Sequence, residues 1–227
     1  MMRKAVLTLL ALACLLLGFK NLEATAGNED RILVVAQHME AAFRKLEDYT
    51  CDVDQIFYQD GAENQRYLFK FYFKKEKKIR VDFYQPHSGL TIFYHDEEKE
   101  ATVVPLRLLS GLKFRISVDN SLMKTLAGQR INQTDMGYFI KFMFKNLRSV
   151  EQKETEFRED NERVEFLFWA WDYVEEKSAE KYRISISKKH WLPIRIERYN
   201  LEDRRLEVTD IRNYVLNAHL EDKLFVP

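Results

Sequence analysis

From Tyr49 onward the chain alternates apolar and polar residues with a period of two, so persistently that antiparallel sheet is the fold it must build. Tyr49 to Tyr58 is the first strand, and Asp60-Gly61 follows as a turn signal. Tyr67, Phe69, Phe71 and Phe73 alternate with Leu68, Lys70, Tyr72 and Lys74, and Lys75 to Lys78 makes a charged turn. Ile79, Val81 and Phe83 alternate with Arg80, Asp82 and Tyr84 until Gln85-Pro86 breaks the run. Leu90, Ile92 and Tyr94 come next, then the acidic turn Asp96-Glu97-Glu98, then Ala101 to Val104. Residues two apart share a face of a strand, so each run has one apolar and one polar side. Short polar turns make neighbouring runs antiparallel.

The second half repeats the pattern after a less regular middle. Phe114 to Val118 is a short strand candidate between Leu106 and Leu126. Val164 to Tyr173 contains Phe166-Leu167-Phe168-Trp169-Ala170-Trp171, apolar on both faces. Such a strand is covered on both sides, or one face lines a cavity. Tyr182, Ile184 and Ile186 alternate with Arg183, Ser185 and Ser187. After the tight connection Trp191-Leu192-Pro193, Ile194 and Ile196 alternate with Arg195 and Glu197, and Leu206 to Val215 runs back.

Two segments read as helices. Ile32, Val35, Ala36, Met39, Phe43 and Leu46 recur at three- and four-residue steps within Glu29 to Glu47, with Asn28 or Asp30 as the expected cap. Phe139, Ile140, Met143, Phe144 and Leu147 form the stripe of a second helix, Asp135 to Arg148, capped by Asp135 and widened by Tyr138 and Phe142. The expected fold class is therefore α+β: about ten antiparallel strands in one strongly curved sheet, a half-barrel covered by helices.

The first 26 residues stand apart from this pattern. Arg3 and Lys4 precede an uncharged apolar run from Ala5 to Phe19, and Ala24-Thr25-Ala26 offers the small residues a signal peptidase reads. A spanning helix needs about 20 apolar residues, and this run is shorter. The expectation is a signal peptide over residues 1–26, cleaved after Ala26, an exported, periplasmic mature protein, and a single domain over residues 27–227. Leu12-Ala13-Cys14 offers the alternative of lipid anchoring at Cys14. Against it, Ala11 stands where a larger aliphatic is preferred, and Leu15-Leu16-Leu17 would follow the cut.

Removing Arg3, Lys4, Lys20 and Glu23 with the leader leaves a chain slightly more acidic than basic. Nucleic acid wants a strongly basic face and is excluded as a partner. With 7 glycines and 4 prolines beside many aromatics, disorder is excluded too. Cys51 is the only thiol left after processing, so no disulfide forms within one chain, and a small buried hydrophobe is its expected role.

A curved sheet with this much aromatic surface leaves an apolar hollow if two helices do not fill it. Acyl chains gain about 0.8 kcal/mol per buried methylene there, without any specific polar contact. The plainer reading stands beside it: aromatic stripes at strand spacing are, as a rule, ordinary core.

A resemblance favours the hollow. Phe71-Tyr72-Phe73-Lys74-Lys75, Ile79 to Pro86 and Leu90 to Asp96 resemble the early strands of the LolA-like periplasmic lipoprotein carriers. Leu192-Pro193-Ile194-Arg195-Ile196-Glu197 and the close through Asn217 and Asp222-Lys223-Leu224-Phe225 are similar as well. Leu46 to Cys51, and Leu122 through Gly128-Gln129-Arg130 to Asp135, look closer to an uncharacterised branch than to the family's well-known carrier. The resemblance covers nearly all of the mature chain. It implies an unclosed antiparallel barrel with a helical lid that holds lipid or acyl chains. That carrier has an arginine in the basic turn that helps latch the lid; here the alignment puts Lys75 at the position. Lysine lacks the planar fork of arginine, so the lid-latch role, and with it a latch-controlled hand-over, loses support while lipid binding does not.

Sequence signatures of chemistry are missing. None of the five histidines, His38, His87, His95, His190 and His219, pairs with another ligand type at a metal spacing. There is no G-x-S-x-G elbow, P-loop or dinucleotide fingerprint, so no catalytic residue, metal or cofactor is expected. Asn132-Gln133-Thr134 matches a glycosylation sequon but is read as the approach to the helix at Asp135. The leading expectation is a monomeric binding module of the periplasm that carries lipid or lipoprotein acyl chains. Its expected lipid-binding wall is Phe71, Phe73, Ile79, Val81, Phe83, Ile92 and Tyr94 on the sheet. Phe139 and Met143 of the second helix, with Phe166 and Phe168, stand opposite. A one-residue error in register exchanges the whole set. Two rivals stay open: an envelope sensor or partner-binding domain that uses the same sheet to recognise an inner- or outer-membrane protein, and an enzyme acting on envelope lipid or glycan.

Overall fold

The protein is described here from a computed structural model, covering residues 27–96, 98–105, 111–172 and 178–227. The leader, its cleavage site, Cys14, Glu97 and Tyr173 lie outside the described residues. Helix α1 (Asn28–Arg44) is followed by strands β1 (Asp48–Gln59), β2 (Ala62–Lys74), β3 (Lys78–Gln85), β4 (Thr91–Tyr94), β5 (Glu100–Val104) and β6 (Phe114–Ser117). An irregular stretch with two short 3-10 turns, Ser121–Met123 and Ile131–Gln133, leads to helix α2 (Met136–Ser149). Strands β7 (Glu156–Glu159), β8 (Arg163–Trp171), β9 (Ala179–Ser187), β10 (Leu192–Tyr199) and β11 (Arg205–Leu216) complete the sheet.

All eleven strands form one antiparallel sheet in the order β6-β5-β4-β3-β2-β1-β11-β10-β9-β8-β7. It is two meanders joined along β1 and β11, where Val53 sits opposite Ile211 and Gln55 opposite Thr209. The edges β6 and β7 do not pair, so the half-barrel is unclosed, as the alternation and the resemblance led us to expect. The eleventh strand is β7, whose Glu-Phe-Arg-Glu is too short and too charged to stand out in the sequence. Register shifts at Thr50/Asp52, Phe57/Tyr58, Leu68/Phe69 and Pro193/Arg195 bend and coil the strands where they occur. The Asp60-Gly61 turn has φ of 52° and 80°, the geometry of a tight hairpin turn that glycine relieves at its second position.

The topology decides what covers the concave face. The chain leaves one sheet edge at β6 and re-enters at the opposite edge, β7, so everything between crosses the inner surface. That crossing is the irregular segment 118–135 followed by α2. Helices α1 and α2 pack on each other and over the β7–β10 half. Gly137 permits their close approach, since a Cβ there would lie 2.7 Å from the ring of Phe43. Asp135 caps α2 as expected, accepting from the amide of Tyr138 at 3.0 Å. The expected cap of α1 is not found: Gly27 holds that position, and Asn28 instead donates to the carbonyl of Thr155 at 2.7 Å.

Strand β8 is buried on both faces. Phe166, Phe168 and Ala170 sit under the helices. Leu167 and Trp169 point outward and are buried as well. The side chain of Gln152 bonds both the amide and the carbonyl of Trp169 at 2.9 Å, standing in for a further strand. The C-terminal residues form a strap across the outside of β2 and β3. Asp222 bridges Lys74 and Lys78 at 2.9 and 3.0 Å, Arg80 donates to the carbonyl of Leu224 at 3.0 Å, and Phe225 is fully buried. Among the described residues no helix is long and apolar enough to cross a membrane.

Candidate functional site

The concave face carries two apolar clusters, and they differ in kind. Beneath α1 and α2, Ile32, Met39, Met143, Phe166, Phe168, Tyr182, Ile184 and Ile186 are essentially without solvent contact. Phe168 packs on Tyr182 with ring centres 5.6 Å apart, and Phe142 meets Tyr182 edge-on at 5.4 Å. This half is filled core. Beneath the segment 118–135 the filling is incomplete. A half-enclosed cavity of about 410 Å³ lies between that segment and strands β1 to β5, reaching β10 and β11. Its volume is in the usual range for small-molecule sites.

The cavity's walls follow from strand alternation. Val53 of β1, Phe69 and Phe71 of β2, Val81 and Phe83 of β3, Ile92 of β4, Val103 of β5 and Ile211 of β11 point into it. The cover contributes Leu122, Met123 and Ile131, and Met136 and Phe139 enter from α2. Leu122 is 74% exposed although it borders the cavity, so apolar surface continues from the interior onto the rim. The cover is held by local bonds: Asn120 accepts from the amide of Leu122 at 2.9 Å, and Gln129 donates to the carbonyl of Gln133 at 2.6 Å. Its far end is tied to the sheet by Tyr49, whose hydroxyl accepts from the amide of Met136 at 3.2 Å. Burial raises the pKa of the Tyr49 phenol well above its ordinary value, so it stays protonated.

The residues expected to line a lipid site therefore fall into three groups. Phe71, Val81, Phe83, Ile92 and Phe139 border the cavity. Phe73, Ile79 and Tyr94 lie on the same inner face but are packed into the cluster beside it, Phe73 stacking on Tyr49 at 5.1 Å and tilting on Phe43 at 5.6 Å. Met143, Phe166 and Phe168 belong to the filled half. Lys75 donates to Glu47 at 2.6 Å and to the carbonyl of Arg44 at 3.3 Å, so it clasps the end of α1. The cation of that turn that faces α2 is Lys77, 3.7 Å from Asp135 and 3.6 Å from Asp96. Cys51 borders the cavity, and its thiol is pushed far up by burial, which suits a hydrophobe and not a nucleophile.

Sequence reading missed two parts of the wall. Leu122, Met123 and Ile131 sit on irregular backbone, where no periodicity marks an inward position. Gln55, Glu207 and Thr209 are polar yet point inward, because β11 carries Leu206 and Val208 on its other face, and Val208 is itself buried there. Apolar alternation names the wrong face of such a strand. Glu207 Oε1 accepts from Gln55 at 2.8 Å and from Thr209 at 3.1 Å. No group of three or more metal-ligating side chains occurs among the described residues. The arrangement is an apolar enclosure with polar groups from β1 and β11 on the sheet side and from Thr125, Gln129, Gln133 and Thr134 on the cover side.

No family model and no curated protein matches the chain. Among solved structures, MucB is similar at a TM-score of 0.50 and 7% identity, over 85% of this chain and 61% of that one. The Mycobacterium tuberculosis lipoprotein LppX is similar at 0.49 and 9% identity, over 85% of this chain and 98% of its own. A LolA superfamily protein from Nitrosomonas europaea is similar at 0.40 and 13% identity, over 86% and 97%. Identities this low speak to fold alone. The architecture is an unclosed, curved antiparallel sheet with helices against its inner face.

Proposed function

We propose that this protein is an exported binding module of the cell envelope that holds an acyl chain of a lipid or lipoprotein in the cavity and delivers it without chemistry. The observation that carries this reading is the unfilled volume of about 410 Å³ between β1–β5 and the cover, walled by Phe71, Val81, Ile92, Ile131 and Met136. Burying one methylene there is worth about 0.8 kcal/mol, so a chain of ordinary length binds tightly through its tail alone. The exposed leucine at the rim supports entry from that side. A periplasmic location accords with the apolar leader.

The test uses delipidated protein and a neutral environment-sensitive dye, phenylnaphthylamine. Its fluorescence is expected to rise saturably, and Phe71→Glu, which puts a charge in the apolar wall, should weaken binding about tenfold or more. No dye binding at micromolar protein would remove the carrier reading. A second reading, recognition of an envelope protein, draws on the exposed Leu112 and Phe114 on and beside edge strand β6 and on Leu122 and Leu126 of the cover. A stoichiometric protein partner recovered from envelope extract without lipid would favour it.

A further inference from the structure

The polar groups that β1 and β11 give the cavity bear on what the cargo's head group is. Gln55, Glu207 and Thr209 are only 8%, 8% and 9% exposed, yet all three border the cavity. They sit together because Gln55 of β1 pairs with Thr209 of β11, and Glu207 follows two residues away on the same face. The Thr209 hydroxyl proton and one Gln55 amide proton are both spent on Glu207 Oε1. The other carboxylate oxygen, Oε2, is buried and makes no hydrogen bond. It lies 3.5 Å from Arg198 Nε, but that guanidinium is shared with Glu180, also 3.5 Å away. One cation thus serves two carboxylates, and burial raises the Glu180 pKa. That side of the cavity is left rich in acceptors and short of positive charge.

We propose that the cavity takes an amphiphile whose head group donates hydrogen bonds, a hydroxyl or an ammonium, to the Gln55–Glu207–Thr209 cluster, and that it discriminates against a free carboxylate head. This rests on the carrier reading and narrows it. Chemistry sets the head. A carboxylate beside Glu207 would bury like charges together, whereas a hydroxyl or ammonium can donate to Thr209 Oγ, whose own proton is already spent on Glu207. The positively charged or chargeable residues on the wall are elsewhere: His87 follows β3, three strands from β11, and Lys124 is on the cover.

The test compares three ligands of one tail length, a long-chain alcohol, the matching alkylamine and the matching fatty acid, as competitors of phenylnaphthylamine at neutral pH. The alcohol and amine are expected to displace the dye at least about tenfold more effectively than the acid. Glu207→Gln, which keeps the shape and an acceptor for Thr209, should abolish the preference for the amine over the acid, read as the ratio of their displacement of the dye. Equal displacement by all three, or tighter binding of the acid with its head near His87 and Lys124, would overturn the head-group assignment. Failure of the dye itself to bind would instead remove the carrier reading beneath it.

Discussion

At the scale of single residues, the polar groups decide more than the aromatic ones. His190 illustrates this outside the cavity. Its Nδ1 accepts from the amide of Leu192 at 3.2 Å, and its ring packs on Tyr214 with centres 4.9 Å apart. Burial, with help from Lys189, lowers its pKa below the usual histidine value of 6.5. The unfolded chain therefore takes up this proton first as pH falls. The contribution of His190 to stability is complete above about pH 6.5 and is lost as pH drops through the lower folded value. Melting temperatures measured from about pH 8 to about pH 5 should fall less steeply for His190→Asn than for the parent protein. An identical slope would contradict the assignment. The same logic explains what the sequence hid. Phe71, Val81 and Phe83 were legible as apolar-face residues because each follows a clearly polar one, Lys70, Arg80 or Asp82. Glu207 and Thr209 were not, because a carboxylate facing an apolar hollow breaks the rule that makes the pattern readable.

At the scale of elements, the cover 118–135 and α2 are consecutive in sequence but unlike in construction. Helix α2 drives Phe139, Ile140, Met143 and Phe142 into a filled core and is capped by Asp135. The cover has two single-turn 3-10 segments and one isolated bridge, Lys124 to Arg130, and anchors itself chiefly through Met123 and Ile131. Few buried contacts and many local bonds make a segment that opens at low cost. Amide exchange within Ser121–Gln133 should be faster than in β8 and β9, and slower once a tail fills the cavity; protection equal to that of β8 would show a permanently closed lid. Asp135 joins the two parts, and Asp135→Ala should cost about 1 kcal/mol by loss of the cap, measured by denaturant unfolding. Strand order and both helices followed from periodicity and turn residues. The division of labour between α2 and the cover did not, because it depends on which edge of the sheet the chain leaves, and that is a property of topology.

At the scale of the whole molecule, the sheet is one object doing two jobs. The β7–β10 half, sealed by α1 and α2, supplies rigid core. The β1–β5 half, roofed by the cover with Met136 and Phe139 of α2, keeps its volume open. The joint between them, β1 against β11, is where the polar cluster sits, so head-group preference is set where the two meanders meet. Binding and stability are then separable: changes under the helices should act on folding, and changes under the cover on cargo. The most direct measurement is a crystal structure of the protein with a long-chain alcohol carrying a terminal bromine. The account places the bromine's anomalous signal among Phe71, Ile92 and Ile131, with the hydroxyl at the Gln55–Glu207–Thr209 cluster. A signal confined to the outer leucines of the rim, or none at saturating ligand, would contradict it.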